Sequence, residues 1–270
     1  TNAVSWRREG IKYANNNIYL DVEESVNTLV NSDGIVLNNE IYGKILVNSC
    51  ISGMPEVKIA FNDRLRITKT TNVCDKYVEL EDAKFHQCVR LANFEKDRTI
   101  SFMPPDGKFE LMSYRIQNRN TPPFMVTCSI EGSSDCTKNY FIKLESTFTR
   151  KYNAIFVEVH IPVPSDAYSP SSATRVGTCV YAPENRMFIW RIKSFEGKRK
   201  EELHAKVLLP SIHSENSDNS KPKIRVKFEI VNFVISQFHI QYLKVFEKSG
   251  YSTKPWVRYI SSSGVYEFRT

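Results

Sequence analysis

Two short stretches near opposite ends of the chain each combine an aromatic residue with a charged one. They read "YLD", which begins at Tyr19, and "WVR", which begins at Trp256. Side chains two positions apart share one face of a β-strand, so each stretch would present its ring beside its charge. If the two strands are neighbours, their rings and charges would form a site suited to binding a tyrosine side chain. Its ring would lie against Trp256 and the guanidinium plane of Arg258, while its hydroxyl would donate to Asp21.

A simpler arrangement uses the same residues without a ligand. Asp21 and Arg258 carry opposite charges, and they could form an internal ion pair with the two aromatic residues packed around it. Spacing alone favours this arrangement over a ligand site. The sequence pattern leaves both alternatives open.

The remainder of the chain offers no local signal for catalysis. The five histidines lie in unrelated contexts, and the ten glycines form no phosphate-binding loop. None of the six cysteines belongs to a C-x-x-C pair, which favours scattered reduced thiols over disulfides or a zinc site. The sequence therefore predicts no enzyme, no cofactor and no metal site.

The net charge of +7 predicts an acidic partner. The signatures of nucleic-acid-binding modules are absent, so the sequence does not favour nucleic acid. Two short basic stretches could bind acidic lipid or acidic protein, or could be ordinary solvated surface. The basic residues in question are Lys198, Arg199, Lys200, Lys223, Arg225 and Lys227.

The dominant hydrophobic period is two, which predicts strands. "IRVKFEI", from Ile224, alternates without a break, and polar turns separate several such runs. "KRKEELHAKVLL", from Lys198, has helical propensity, but β neighbours often override propensity, so it is predicted to be a strand. "NTPP" at Asn120 would interrupt strand pairing and could mark a subdomain junction. No apolar run reaches the ~18 residues of a membrane span, and no signal peptide is expected at the start.

Several longer strings resemble a known family, the C-terminal mu homology domain of clathrin adaptor medium subunits. The two strings "HIPVPSDAYSP" and "EKSGYSTKPWVRYI" are most similar to the type-one complex, of the trans-Golgi network and endosomes. The strings that carry the resemblance are "SWRREGIKY" (from Ser5), "LDVEESVN" (Leu20), "SGMPEVK" (Ser52), "FHQCVRL" (Phe85), "RTISFMPPDGKFELMSYR" (Arg98), "HIPVPSDAYSP" (His160) and "EKSGYSTKPWVRYI" (Glu247).

The resemblance implies an all-β fold. It is an elongated mu homology domain of two immunoglobulin-like β-sandwich subdomains, with the second inserted into the first. The expected boundaries are 1–117 together with 232–270 for the signal-binding subdomain, and 118–231 for the inserted one. The full medium subunit has a further N-terminal domain, so this chain would correspond to roughly its last two thirds.

The resemblance also implies a function, the recognition of Y-x-x-Φ sorting signals in cytosolic tails of membrane proteins, where Φ is bulky and apolar. Two departures from the family are expected to matter: Tyr19 stands where Phe is usual, and Asn48 where a basic residue is usual. The implied tyrosine pocket comprises Tyr19, Asp21, Asn48, Trp256 and Arg258. The implied Φ pocket comprises Leu20, Val257, Ile240 and Leu243, with Ile18 a weaker candidate.

The implied partners are the tails of transmembrane cargo and the large and small subunits of an adaptor complex. Through that complex they extend to the clathrin coat and an Arf-family GTPase, with anionic phospholipids as a further candidate. The implied location is cytoplasmic and peripheral, on the cytosolic face of the trans-Golgi network, endosomes and clathrin-coated vesicles. The alternative is a mu homology domain of another coat complex that acts mainly as a protein or lipid interaction module.

Overall fold

The computed structural model of the chain describes residues 4–62, 65–66, 78–134, 136–210 and 223–270. In this part of the chain the regular structure is β-strand apart from one helical turn, which confirms the all-β prediction. The elements in chain order are β1 (Asn17–Val30), β2 (Val36–Cys50), β3 (Glu56–Phe61), β4 (Leu65–Arg66), β5 (Val78–Glu79), β6 (Glu81–Phe85), β7 (Val89–Arg90), α1 (Phe94–Asp97), β8 (Thr99–Phe102), β9 (Gly107–Gln117), β10 (Phe124–Ser134), β11 (Thr137–Ser146), β12 (Asn153–Pro162), β13 (Tyr168–Thr174), β14 (Thr178–Ala182), β15 (Met187–Glu196), β16 (Lys200–Leu208), β17 (Lys223–Val231), β18 (Ile240–Phe246) and β19 (Lys254–Arg269).

The chain divides into two compact units. The first comprises Thr1–Ser25, Glu40–Asn118 and Asn232–Ser261, and the second comprises Val26–Asn39, Arg119–Val231 and Ser262–Thr270. Strands β1, β2 and β19 each contribute residues to both units. The subdomain boundaries expected from the family resemblance, 1–117 with 232–270 and 118–231, stay a prediction.

The first unit is a sandwich of two sheets, with strand orders β19-β1-β2-β9-β6 and β18-β3-β8-β7. Aromatic rings join the sheets across the core. Phe102 on β8 lies 6.4 Å from Phe109 on β9, centroid to centroid. Strand β1 alternates strictly, with Leu20 and Val22 fully buried and the intervening side chains directed outward. Each such buried aliphatic side chain contributes about 1.5–3 kcal/mol, so burial fixes which face of β1 points outward.

A buried polar group lies in the core of the first unit. The Glu24 carboxylate accepts hydrogen bonds from the Ser236 amide at 3.0 Å, from the Ser236 hydroxyl, and from the Tyr114 hydroxyl at 3.0 Å. Burial raises the pKa of Glu24, and the hydrogen bonds from Ser236 and Tyr114 partly oppose that rise. The Tyr114 ring passes over Gly43, where a Cβ atom would overlap the ring. This network ties β1, β2 and β9 to the segment that leads into β18.

The second unit is also a sandwich. One sheet has the order β10-β11-β16-β13. The other has the order β14-β15-β12-β17-β19-β1-β2, in which β19, β1 and β2 contribute only the residues that belong to this unit. Phe124 on β10 lies 4.9 Å from Phe228 on β17 and 5.4 Å from Phe195 on β15, measured between ring centroids. The Tyr266 hydroxyl donates to the Phe124 carbonyl at 2.6 Å and accepts from its amide at 3.0 Å.

The strand predictions in the second unit are confirmed. In β17, Ile224, Val226 and Phe228 are buried and alternate with exposed basic residues. The segment with helical propensity forms β16, because alternate burial of its apolar residues outweighs a propensity difference of well under 1 kcal/mol per residue. Strand β12 departs from simple alternation. Phe156 adopts a left-handed φ of 53° at a register shift, and this bulge turns its side chain to solvent.

The close approach of Tyr114 to Gly43 generates a prediction about stability. Gly43→Ala should lower the free energy of unfolding by about 1–3 kcal/mol, because the added methyl group displaces the ring and strains its hydrogen bond to Glu24. Denaturant unfolding measures the change. The control is the double variant Gly43→Ala/Tyr114→Ala, in which the overlap is gone and the two effects should not add. Strict additivity would show that the ring does not sense position 43.

Candidate functional site

An ion pair joins the first and last long strands of the first unit. The Arg258 Nε donates to Asp21 Oδ1 at 2.9 Å, and Nη2 donates to Oδ2 at 2.7 Å. Two parallel hydrogen bonds of this kind fix the orientation of both side chains. Strand order places β19 directly beside β1. The two charges that the sequence predicted to converge therefore do so on the outer face of the sheet.

The aromatic residues beside this ion pair are not packed into a core. Trp256 is 59% exposed and Tyr19 is 39% exposed. Both lie on the strand face that carries the ion pair, because each is two residues from a charged partner. The structure thus contains the internal ion pair of the simpler arrangement, but it leaves the two rings facing solvent. A planar aromatic ligand has exposed ring surface against which to stack.

Asn48 belongs to the same outer surface. Two side-chain contacts between β1 and β2 indicate one antiparallel register. Thr28 hydrogen-bonds to Asn39 at 3.2 Å in the second unit, and Glu23 forms an ion pair with Lys44 at 3.1 Å in the first. That register places Asn48 opposite Tyr19. Asn48 is partly exposed, and its carbonyl oxygen lies 3.9 Å from the Cys50 sulfur.

The N-terminal part of β19 extends past the end of one of its two neighbouring strands. On the side of β1, the Lys254 amide donates to the Asn16 carbonyl at 3.1 Å. On the other side β17 ends at Val231, and the Asn232 amide donates to the Tyr259 carbonyl at 2.8 Å. Among the strands of the described ranges, β17 is the neighbour of β19 on this side, and it stops beside Tyr259 without continuing along 254–257. This edge can therefore accept an additional strand.

The inner face of the same edge is apolar. Val257 and Tyr259 alternate with the outward Trp256 and Arg258, and the Tyr259 hydroxyl accepts a hydrogen bond from the Ile240 amide at 3.0 Å. Burial raises the pKa of Tyr259, and the hydrogen bond from Ile240 partly opposes the rise. The start of β18 thus lies next to the inner face of β19. Tyr259 was not singled out in the sequence, although its two-residue offset from Val257 was a usable signal.

The residues predicted for a Φ pocket lie on this inner side. Ile240 and Leu243 are half-buried and face inward, as does Val245, which pairs with core residue Val57. Leu20 and Ile18 are fully buried on the core face of β1, opposite to Tyr19. The residues predicted for the Φ pocket therefore differ in burial, from Val257, which is partly exposed, to Leu20 and Ile18, which are fully buried in the core.

The two faces of the edge differ in chemistry. An ion pair with exposed aromatic rings lies on the outer face, and aliphatic side chains lie on the inner face. Side chains of an added strand would alternate between these faces. Residues an odd number of positions apart would fall on opposite faces, and residues an even number apart would fall on the same face.

The predicted basic residues do not form one patch. Lys198, Arg199 and Lys200 precede or begin β16, whereas the other three lie on β17 in the opposite sheet of the second unit. Four of the six form ion pairs: Arg199 with Glu201, Lys200 with Glu145, and both Lys223 and Arg225 with Glu267. Burial raises the pKa of Glu267, but hydrogen bonds from its two basic partners hold it below the usual value.

Two further findings concern metals and membranes. In the described ranges, no group of three or more His, Cys, Asp or Glu side chains is placed to hold a metal ion. None of the helical structure in those ranges has the length and apolar character needed to cross a bilayer.

Residues 4–270 match the adaptor complexes medium subunit family. The chain is 49% identical over 269 residues to "AP-1 complex subunit mu-1-I" of Caenorhabditis elegans, and 50% identical over 274 residues to "AP-1 complex subunit mu" of Dictyostelium discoideum. All of this chain is aligned, and it spans 64% of the length of each of these relatives. A solved structure, the Fcho1 mu homology domain of Danio rerio with bound Eps15 peptide, has a TM-score of 0.66 at 10% identity, with 94% of this chain and 97% of that chain covered.

The exposure of the outer residues predicts their contribution to stability. Trp256→Ala and Arg258→Gln should each change the free energy of unfolding by less than about 1 kcal/mol, because an exposed ring and a surface ion pair contribute little. The matched control is Leu20→Ala on the buried face of β1, which should cost about 2–5 kcal/mol. Denaturant titration measures all three. A loss of several kcal/mol in Trp256→Ala would instead assign that residue a packing role.

Proposed function

Because the chain belongs to the adaptor complexes medium subunit family, we propose that it binds Y-x-x-Φ sorting signals in the cytosolic tails of membrane proteins. This family consists of non-enzymatic adaptor subunits. The observation that carries the proposal is the part of β19 that extends past the end of β17, with Trp256 and Arg258 directed to one face and Val257 to the other. The signal adds to this edge as an extended strand.

The spacing of the signal agrees with this geometry. In an extended peptide, Tyr and Φ are three residues apart, so their side chains point to opposite faces of the strand. The tyrosine reaches the outer face and Φ reaches the inner one. The two side chains are then separated by about 10 Å along the strand.

The tyrosine pocket combines stacking with hydrogen bonding. The phenol ring lies against Trp256 and Tyr19, which are exposed on the outer face. Its hydroxyl donates to the Asp21 carboxylate, and Arg258 supplies the balancing charge. Asn48, opposite Tyr19 in the β1–β2 register, borders this pocket with a neutral amide.

The Φ pocket is apolar and partly preformed. Val257, Ile240 and Leu243 line it, and Leu20 and Ile18 extend it toward the core. Burying one aliphatic side chain there contributes about 1.5–3 kcal/mol. A short peptide loses much conformational entropy on ordering, so micromolar affinity is expected, about 8 kcal/mol. Several weak contacts at a membrane surface add through avidity.

The assembly in which the chain acts is part of the proposal. Its relatives are subunits of AP-1 complexes, and a structurally similar mu homology domain holds a bound peptide. We infer partnership with large and small adaptor subunits and, through them, with clathrin and an Arf-family GTPase. The place of action is then the cytosolic face of the trans-Golgi network, endosomes and clathrin-coated vesicles.

The opposite-face geometry generates a prediction about signal spacing. A Y-x-x-Φ peptide should bind at least about tenfold more tightly than Y-x-Φ or Y-x-x-x-Φ peptides of the same composition, because even spacing returns Φ to the outer face. Isothermal titration calorimetry measures the affinities. The Tyr→Ala peptide serves as the negative control. Equal affinity for all three spacings would contradict binding along the β19 edge.

The hydrogen bond to Asp21 generates a second prediction. Replacing the signal tyrosine by Phe should cost about 1–3 kcal/mol with the wild-type chain. It should cost little with Asp21→Ala, because the acceptor is already absent. For the Tyr→Phe comparison, an unchanged melting temperature of Asp21→Ala is the control for folding.

Phosphorylating the tyrosine should abolish binding, since it adds a charge of about −2 beside a carboxylate. A phosphopeptide that binds the wild-type chain as tightly as its parent would exclude this pocket.

A further inference from the structure

A short irregular segment, residues 232–239, leads from the end of β17 into β18. Asn232 and Gln237 within it adopt left-handed φ angles of 57° and 62°. Backbone conformations of this kind persist where the surrounding contacts hold them, and buried N–H groups outside a strand need hydrogen-bond acceptors. The buried residues of the segment are Val234, Ile235, Ser236 and Phe238.

The Glu24 carboxylate supplies acceptors to this segment. It accepts hydrogen bonds from the Ser236 amide at 3.0 Å and from the Ser236 hydroxyl, and the Ile235 amide also donates to it. The Ser236 hydroxyl oxygen in turn accepts from the Phe238 amide at 3.2 Å. One buried side chain thus satisfies the N–H groups of three residues in the segment, two directly and one through a hydroxyl. Removal of the carboxylate would leave buried donors without their acceptor.

The end of the segment leads into the wall of the proposed Φ pocket. Phe238 is fully buried, and its ring stacks on Phe61 of β3 at 5.0 Å between centroids. Two residues later, the Ile240 amide donates to the Tyr259 hydroxyl of β19 at 3.0 Å. The path of the segment therefore determines where Ile240 and Leu243 lie relative to the inner face of β19.

Strand β1 connects this segment to the proposed tyrosine pocket. Asp21 and Glu24 are three positions apart on β1, so their side chains point to opposite faces of the strand. On the outer face Asp21 forms the ion pair with Arg258, and on the core face Glu24 holds the 232–239 segment. The two carboxylates are separated by about 10 Å along β1, which matches the separation of Tyr and Φ in an extended signal.

From this arrangement we propose that Glu24 is a positioning residue for the Φ pocket, and that it fixes the placement of that pocket relative to the tyrosine pocket. The inference rests on the proposed function. Glu24 is enclosed in the core, so it acts through Ser236 and Ile240 and not by contact with the signal. Apolar packing alone would let the segment shift, whereas several directional hydrogen bonds specify one arrangement of a buried backbone.

Amide hydrogen exchange of the 270-residue chain without peptide gives the first test. In Glu24→Gln, the Phe238 and Ile240 amides should exchange at least about tenfold faster than in the wild-type chain, while the amides of β12 in the second unit change little. Ser236→Ala keeps the carboxylate and removes one donor, so it should show the same pattern to a smaller degree. This milder variant carries the test if Glu24→Gln does not fold.

Calorimetric titration with Y-x-x-Leu, Y-x-x-Ala and F-x-x-Leu peptides gives the second test. In both variants the ratio of the affinities for Leu and Ala at Φ should fall at least about threefold, because the wall of the pocket is displaced. The ratio for Tyr and Phe should change less than about twofold, because the Asp21–Arg258 pair on the outer face is retained.

The control variant is Leu111→Ala on β9, which removes buried apolar volume and no hydrogen-bonding side chain. Strand β2 lies between β9 and β1, so this variant should leave both affinity ratios unchanged. Equal changes in Leu111→Ala would reduce the role of Glu24 to core stability and overturn the inference. Faster exchange with an unchanged Leu-to-Ala ratio would also overturn it and leave the proposed function intact. A wild-type chain that binds none of the three peptides would overturn the proposed function itself, whatever the exchange rates.

Discussion

The alternation of side chains along β19, in the part that extends past the end of β17, is the constraint on which the proposed site depends. Burial on one face of the sheet decides which residues turn outward, and the Asp21–Arg258 ion pair then holds β1 and β19 in a fixed relation. An edge with identical chemistry on both faces could position a peptide but could not select the spacing of its residues. Here the two faces differ, so the alternation of side chains along an extended peptide determines which spacing of its residues can bind.

This site requires contact between residues that are very far apart in sequence. Asp21 and Arg258 are separated by 237 positions, so no part of the proposed tyrosine pocket exists until the first and last strands of the unit have paired. Loop closure over such a length has a large entropic cost, which only extensive packing offsets. The Glu24 network supplies part of that packing, because it joins β1 to the segment that precedes β18.

The sequence predicted which side chains of a strand are buried better than it predicted which residues of different strands contact one another. Alternation in β17 identified its buried residues, and the two aromatic–charged tripeptides identified the outer residues of the edge. Other features had no local signal. The bulge at Phe156 depends on register with two flanking strands, and the side-by-side position of Lys58 and Lys244 depends on the pairing of β3 with β18. Tyr259 lay within a recognised string, but its contact with Ile240 is set by the approach of β18.

The balance of charge in the proposed tyrosine pocket bears on what it can select. The Asp21 carboxylate is paired with Arg258, Lys44 is paired with Glu23, and position 48 carries a neutral amide. A basic residue at position 48, opposite Tyr19, would tilt this balance toward anions. With Asn48 the pocket offers a carboxylate acceptor whose charge is already compensated, and that arrangement suits a neutral phenol. Discrimination against a phosphorylated tyrosine then follows from the absence of surplus positive charge as much as from the presence of Asp21.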